Sequence, residues 1–267
     1  MLNHFTNQAS GLIGLGCQPS PRLIAMVGHG DEQAELPLLW QLCLSLVNFG
    51  YSVTVLDATS PESEANPGLE DLLENSRWAD ENHHEAPAWN VIASAKGIQR
   101  LVTAKPSKSG ALHRLGQLLP AESIVILYCN AEWMTALIGD SQTEPLIVAS
   151  PTKTALLTGY IALKRLLITG GLRPTIVNML QESSLLASPQ RPNASSGLSE
   201  CAKKFLGYQL KTVDIVEPQV NVAPCDAIQR LALRLLESAI PLGVTQPTAA
   251  LLRTPSLGTT AQFAGSH

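Results

Sequence analysis

The sequence predicts an α/β fold: a doubly wound, mostly parallel sheet flanked by helices, formed by a single domain. Three observations carry this reading. From Leu23 onwards, short apolar runs of strand length alternate with amphipathic segments of helical length. A strand, a glycine turn, a helix, a second glycine and a second strand fit within about 35 residues, the pattern of a right-handed βαβ unit. The strands are almost continuously apolar, which requires helices on both faces of the sheet.

The elements follow in order. Leu23-Ile24-Ala25-Met26-Val27 reads as the first strand, closed by Gly28-His29-Gly30. Leu36 to Phe49 has helical length and ends at Gly50, a residue suited to a helix C-terminus. Ser52 to Leu56 is rich in β-branched residues and stops at Asp57. Trp89 to Ala93, Ser123 to Leu127, Pro145 to Ala149 and Thr175 to Val177 read as further strands. Ser109 to Leu119 and Thr152 to Ile168 read as helices between them. The second has a broad apolar face, with Lys164 and Arg165 towards its C-terminal end, where cations offset the helix dipole. Asp226 to Ile240 is a further amphipathic helix.

Composition limits the functions. The chain has 267 residues, 45% hydrophobic and 15% charged, with a formal net charge of -4. An acidic balance without clustered cations excludes a basic nucleic-acid binder. No apolar run reaches the 18 or more residues of a membrane span; the longest, Leu38 to Phe49, is interrupted by Gln41, Ser45 and Asn48. The N-terminus lacks the basic start and long apolar stretch of a secretory signal. Five cysteines without a C-x-x-C pair argue against a disulfide framework or a zinc knuckle. The expected location is cytoplasmic, with reduced thiols. The expected organisation is a flexible segment 1–20, one α/β domain 21–240 and a flexible tail 241–267. Within the domain, Ser183 to Gly197 reads as a loop. Glu62 to Glu85, with eight acidic residues and one Arg, reads as a solvated loop and helix face.

The turn after the first strand is where such folds bind phosphate. A working phosphate loop, G-x-x-x-x-G-K-[ST], needs glycines for the cradle, a Lys for the phosphates and a hydroxyl for Mg²⁺. Gly28 to Leu36 keeps two glycines but supplies neither the Lys nor the hydroxyl. Asp31, Glu32 and Glu35 place three carboxylates there instead, and each would repel a polyanion.

The run LIAMVGHGDEQAELPLLWQLCLSLVNFGYSVTVLDAT resembles the first βαβ unit of the MinD/ParA family of deviant-Walker ATPases, which have a P-loop NTPase-like fold. Matching Gly50 and Asp57 to their family counterparts puts Gly30 at the signature lysine, Glu35 at the P-loop lysine and Leu36 at the Mg²⁺-binding threonine. Asp57 matches the first acidic position after the second strand, and Thr59 replaces the second. Asn90 to Gln99 is similar to a segment of the FlhG/FleN flagellar-number regulators. Ile124 to Leu127 resembles the strand that ends in the Walker B aspartate, where Tyr128 stands. Ile147 to Leu167 and Pro174 to Leu180 also resemble family segments, and Asn178 falls at the asparagine that approaches adenine. The resemblance spans residues 22 to about 240.

That resemblance implies a degenerate member, a pseudo-ATPase. Gly28, Gly30, Asp57 and Asn178 are the residues of a vestigial nucleotide site; no catalytic residue and no metal site is expected. Each also has a structural reading: Gly28 and Gly30 as a tight turn, Asp57 as a turn or cap residue, Asn178 as a hydrogen-bonded strand end. Ser150 and Thr152 read as an N-cap arrangement. His83-His84 lacks a third metal ligand. No cofactor is expected. ATP with Mg²⁺ belongs to the alternative, an ATPase in which Asp57 holds a Mg²⁺-bound water. The expected role is a regulatory or scaffold component with protein partners, in flagellar placement and number control. An accessory role in cellulose or exopolysaccharide secretion is the alternative. Active relatives dimerise through the signature lysine, which this chain lacks. Peripheral membrane contact would need the Asp226–Ile240 helix exposed rather than packed.

Overall fold

The computed structural model describes residues 20–75, 89–104, 107–180, 194–216 and 223–243. The paired histidines 83 and 84, the stretch 181–193, and residues 1–19 and 244–267 lie outside the described residues. The expectations for the two ends and for most of the Ser183–Gly197 loop therefore fall there.

Among the described residues, eight strands form one sheet. They are β1 (Arg22–Val27), β2 (Val53–Asp57), β3 (Trp89–Ala93), β4 (Ile124–Cys129), β5 (Leu146–Ala149), β6 (Thr175–Leu180), β7 (Lys211–Val216) and β8 (Ile240–Pro241). The main order is β3-β2-β4-β1-β5-β6-β7, all parallel. Short β8 is antiparallel and pairs with the start of β1, Arg22 and Leu23, while β5 pairs with its end at Met26. The predicted doubly wound, mostly parallel architecture is therefore the observed one. The chain runs outward from β1 in one direction to β2 and β3, then returns through β4 and leaves on the other side. The carboxyl ends of β1 and its neighbours thus lie at the switch point, where ligands of such folds bind.

The helices are α1 (Glu32–Asn48), α2 (Leu69–Asn75), α3 (Ala95–Thr103), α4 (Lys108–Leu118), α5 (Ala131–Ile138), α6 (Lys153–Ile168), α7 (Ala194–Cys201), continued by a π-turn at Ala202–Leu206, and α8 (Asp226–Ser238). Strand alternation sorts their packing. Ile24 and Met26 of β1 face one core with Leu38, Leu42 and Leu46 of α1 and Ile228, Leu231 and Leu235 of α8. Leu23, Ala25 and Val27 face a second core built with α2 to α7. Each fully buried Leu or Ile contributes roughly 1.5–3 kcal/mol. The apolar face of α8 is therefore consumed by packing on the sheet. No helix among the described residues is long and apolar enough to cross a membrane.

Several sequence boundaries move. The first helix starts at Glu32 rather than Leu36, because the Asp31 carbonyl already accepts the amides of Ala34 and Glu35, each at 2.9 Å. Residues 194–197, read as loop, open α7. The acidic stretch is not uniformly solvated: Glu62 is buried, with Oε1 accepting from the Glu70 amide at 2.7 Å and Oε2 from the Gly97 amide at 2.8 Å. One carboxylate thus satisfies amides in the first turns of both α2 and α3, where helix dipoles favour an anion.

Beyond the read boundary at residue 240, the Leu242 amide donates to the Pro21 carbonyl at 2.7 Å and its side chain is fully buried.

Candidate functional site: a phosphate cradle held by its own side chains

The polar cluster at the switch point is assembled from four elements. The β1–α1 turn supplies Gly28, His29, Gly30 and Asp31. The α1 helix supplies Glu35, β4 supplies Tyr128, and β2 ends in Asp57. Parallel pairing aligns Met26, Asp57 and Tyr128 across the three central strands.

Glu35 is fully buried. A buried carboxylate requires donors, and here it has them. Oε1 accepts from the His29 amide at 3.0 Å and the Asp31 amide at 3.2 Å. Oε2 accepts from the Tyr128 hydroxyl. His29 Nε2 lies 3.3 Å from Oε1. Turn amides at a helix N-terminus make an anion-binding nest, and this nest is filled by the chain's own carboxylate. The Glu35 carboxylate thus turns back onto the amides of its own turn and serves as their anion.

Tyr128 completes the arrangement. It is 2% exposed, and its ring lies so close to Gly28 that a Cβ there would sit 3.1 Å from Cε2 and Cζ. Gly28 is therefore needed for close approach, not for a left-handed backbone. Gly30 is the residue with the unusual backbone, at φ 95°, which glycine adopts without steric cost. Burial pushes the Tyr128 phenol far above its ordinary range. The hydrogen bond to Glu35 and the charges of Glu35, Asp57 and Glu32 add to the effect. The phenol stays a protonated donor.

His29 ties the turn to the other half of the sheet. Its Nε2 is 2.8 Å from the Val148 carbonyl, so that nitrogen carries the proton, and Nδ1 is 2.9 Å from Thr158 Oγ1 on α6. Asp57 is committed locally: Oδ1 accepts from the Thr59 amide at 2.9 Å and its hydroxyl at 2.6 Å, and Oδ2 accepts from the Ser60 hydroxyl at 2.6 Å. Asn178 is buried at the far side, on β6, where Nδ2 donates to Asp214 Oδ1 at 2.9 Å. Its Oδ1 and the Oδ2 of Asp31 are buried without hydrogen-bond partners. Gly28, Gly30 and Asp57 therefore share one site. Asn178 lies apart from it on β6, paired with Ala149 of β5 and Asp214 of β7. Thr152 caps α6 by accepting from the Ala155 amide at 3.2 Å, as its N-cap reading expects.

The amides of His29 and Asp31 already hold Glu35, no lysine stands in this turn, and the Asp57 oxygens accept from Thr59 and Ser60. No group of three or more metal-ligating side chains occurs among the described residues. The sequence did not point to His29 as a bridge or to Tyr128 as the partner of Glu35. The signal was present only as two coincident losses, at Glu35 and Tyr128, whose side chains are mutually complementary.

No family model matches the chain, and no curated protein matches it. Solved structures do. The class that they define is the α/β fold of MinD- and ParA-type ATPases. The chain is similar to a chain of the MinC:MinD cell division protein complex of Aquifex aeolicus, with 12% identity, TM-score 0.56, and coverage of 82% of this chain and 97% of that one. It is also similar to apo McdA of Cyanthece, with 15% identity, TM-score 0.50, and coverage of 74% and 87%. At these identities the likeness is one of fold.

Proposed function

We propose that this protein is a catalytically degenerate MinD/ParA-like scaffold, which uses the ATPase fold as a rigid body for protein partners and does not turn over nucleotide. The observation that carries the reading is the Tyr128 hydroxyl donating to the Glu35 carboxylate inside the phosphate cradle. A lysine and an aspartate at those two positions would hold phosphate and Mg²⁺. A tyrosine and a glutamate hold each other. Phosphate release from ATP should therefore stay at the buffer background for the purified chain. Turnover that disappears in Asp57→Ala would establish the alternative ATPase reading.

Within that reading, the proposed context is flagellar placement and number control in a bacterium, resting on the similarity of Asn90–Gln99, which here forms β3 and the start of α3. An accessory role in cellulose or exopolysaccharide secretion is the competing context. The MinC:MinD structure supports the general idea that this fold works through a protein partner. Deleting the gene and counting flagella, alongside a polysaccharide-binding dye assay, separates the two contexts. Altered flagellar number with normal dye binding supports the first, and the opposite result the second.

A further inference from the structure

The outer face of α6 is apolar where solvent-facing helices are ordinarily polar. Leu157, Ile161 and Ile168 are 61%, 58% and 65% exposed. Their spacings of four and seven residues put them on one stripe. Phe205 of the π-turn, 64% exposed, continues the stripe beyond the end of α6. Ile168 and Phe205 both line a groove of about 430 Å³, together with Leu167, Leu172, Arg173 and Tyr208.

The rim of this surface is basic. Lys164 lies on the stripe itself, Arg173 edges the groove, and Lys203 and Lys204 precede Phe205, with Lys204 Nζ 5.4 Å from the centre of the Phe205 ring. None of these four cations makes an ion pair or side-chain hydrogen bond with a described residue. In contrast, neighbouring Arg165 is paired with Glu132 at 3.3 Å. An acidic chain of net charge -4 thus keeps four cations without an ion pair among the described residues beside one exposed apolar stripe. Such patches mark interaction sites.

We infer that this α6–Phe205 surface docks an amphipathic helix of a partner protein that carries aliphatic anchors at helical spacing and carboxylates on its flanks. Charge complementarity selects the acidic flanks, because these cations form no ion pair with a described residue. The groove between α6 and the π-turn offers a recess for an anchoring side chain, which favours a protein partner. The inference holds whether or not the cradle turns over nucleotide.

The probe is a fluorescein-labelled helical peptide with Leu at i, i+4, i+7 and i+11 and Glu flanking them. A Lys-flanked version and a composition-matched scramble are the controls. Anisotropy should show the Glu peptide binding at least tenfold more tightly than either control, and weakening as salt rises. Ile168→Glu and Phe205→Ala should each reduce that binding about tenfold. Both positions are exposed, so both variants should keep the wild-type melting temperature. Equal binding of the three peptides, or binding unaffected by either substitution, overturns the inference. So does sedimentation with phosphatidylglycerol vesicles that Phe205→Ala abolishes, which assigns the face to a membrane. A dimer that Ile168→Glu dissociates likewise overturns it, assigning the face to a second copy of the chain.

Discussion

The Tyr128 hydroxyl donates to the Glu35 carboxylate across 93 residues of sequence, joining the end of β4 to the first turn of α1. Neither residue explains the other's burial alone. A carboxylate here without the phenol would leave an oxygen unsatisfied, and the phenol without the carboxylate would lose its acceptor.

Tyr128→Phe is the direct probe of that pair. It keeps the ring against Gly28 and removes only the donor, so it should destabilise the protein by about 1–3 kcal/mol in chemical denaturation. A double-mutant cycle with Glu35→Gln should show coupling of about 0.5–3 kcal/mol. The pH dependence has a defined sign. The folded phenol titrates above the unfolded one, so its contribution is complete below the unfolded value of about 10 and is lost as pH rises beyond it. Tyr128→Phe should remove that alkaline loss.

Gly28→Ala tests close approach without backbone strain, since the backbone of Gly28 is not left-handed. The added Cβ meets the Tyr128 ring at 3.1 Å, and overpacking of this kind costs about 1–3 kcal/mol. Trimming the ring in Tyr128→Leu should reduce the cost of the alanine substitution, leaving the share due to Thr59 Cγ2 at 3.2 Å, as read from thermal melts of the four proteins.

Glu62→Ala should cost about 2–4 kcal/mol, because two helix amides lose one acceptor together and a buried site is opened. Hydrogen exchange should show the loss first in the opening turns of α2 and α3. Uniform loss across the sheet would contradict the stapling role.

Glu144 gives an acid-side test. Burial acts to raise its pKa, but the hydrogen bonds from Lys211 and Arg234, and their charges, outweigh this and hold the carboxyl below its ordinary range. A lowered folded value means stability that is complete above the unfolded value of about 4.3 and lost as pH falls through the folded one. Denaturation between pH 3 and 6 should show a shallower acid decline for Glu144→Gln than for wild type.

Much of the fold was legible because buried parallel strands have a strong signature. Trp89 to Ala93 was read to the residue, and the five other strands that were read shift by no more than a few residues. β7 was missed because it is an edge strand: Lys211, Thr212 and Asp214 are exposed, so its apolar content is low. Glu62 was read as solvated because a charge run looks the same whether one member turns inward or not. At the site, the missing Lys, Thr and Asp were legible as types. Their replacement by a hydrogen-bonded network was not, because residues 29, 35, 128, 148 and 158 meet only through tertiary structure.

On the proposed reading, Glu35 fills the turn and nucleotide is not accepted there. Thermal unfolding of the full chain with and without 5 mM Mg²⁺-ATP tests it most directly. The account predicts a melting temperature unchanged within about 1 °C. A rise of several degrees, which a ligand at about 100 times its Kd would give through about 2.7 kcal/mol of stabilisation, would contradict it.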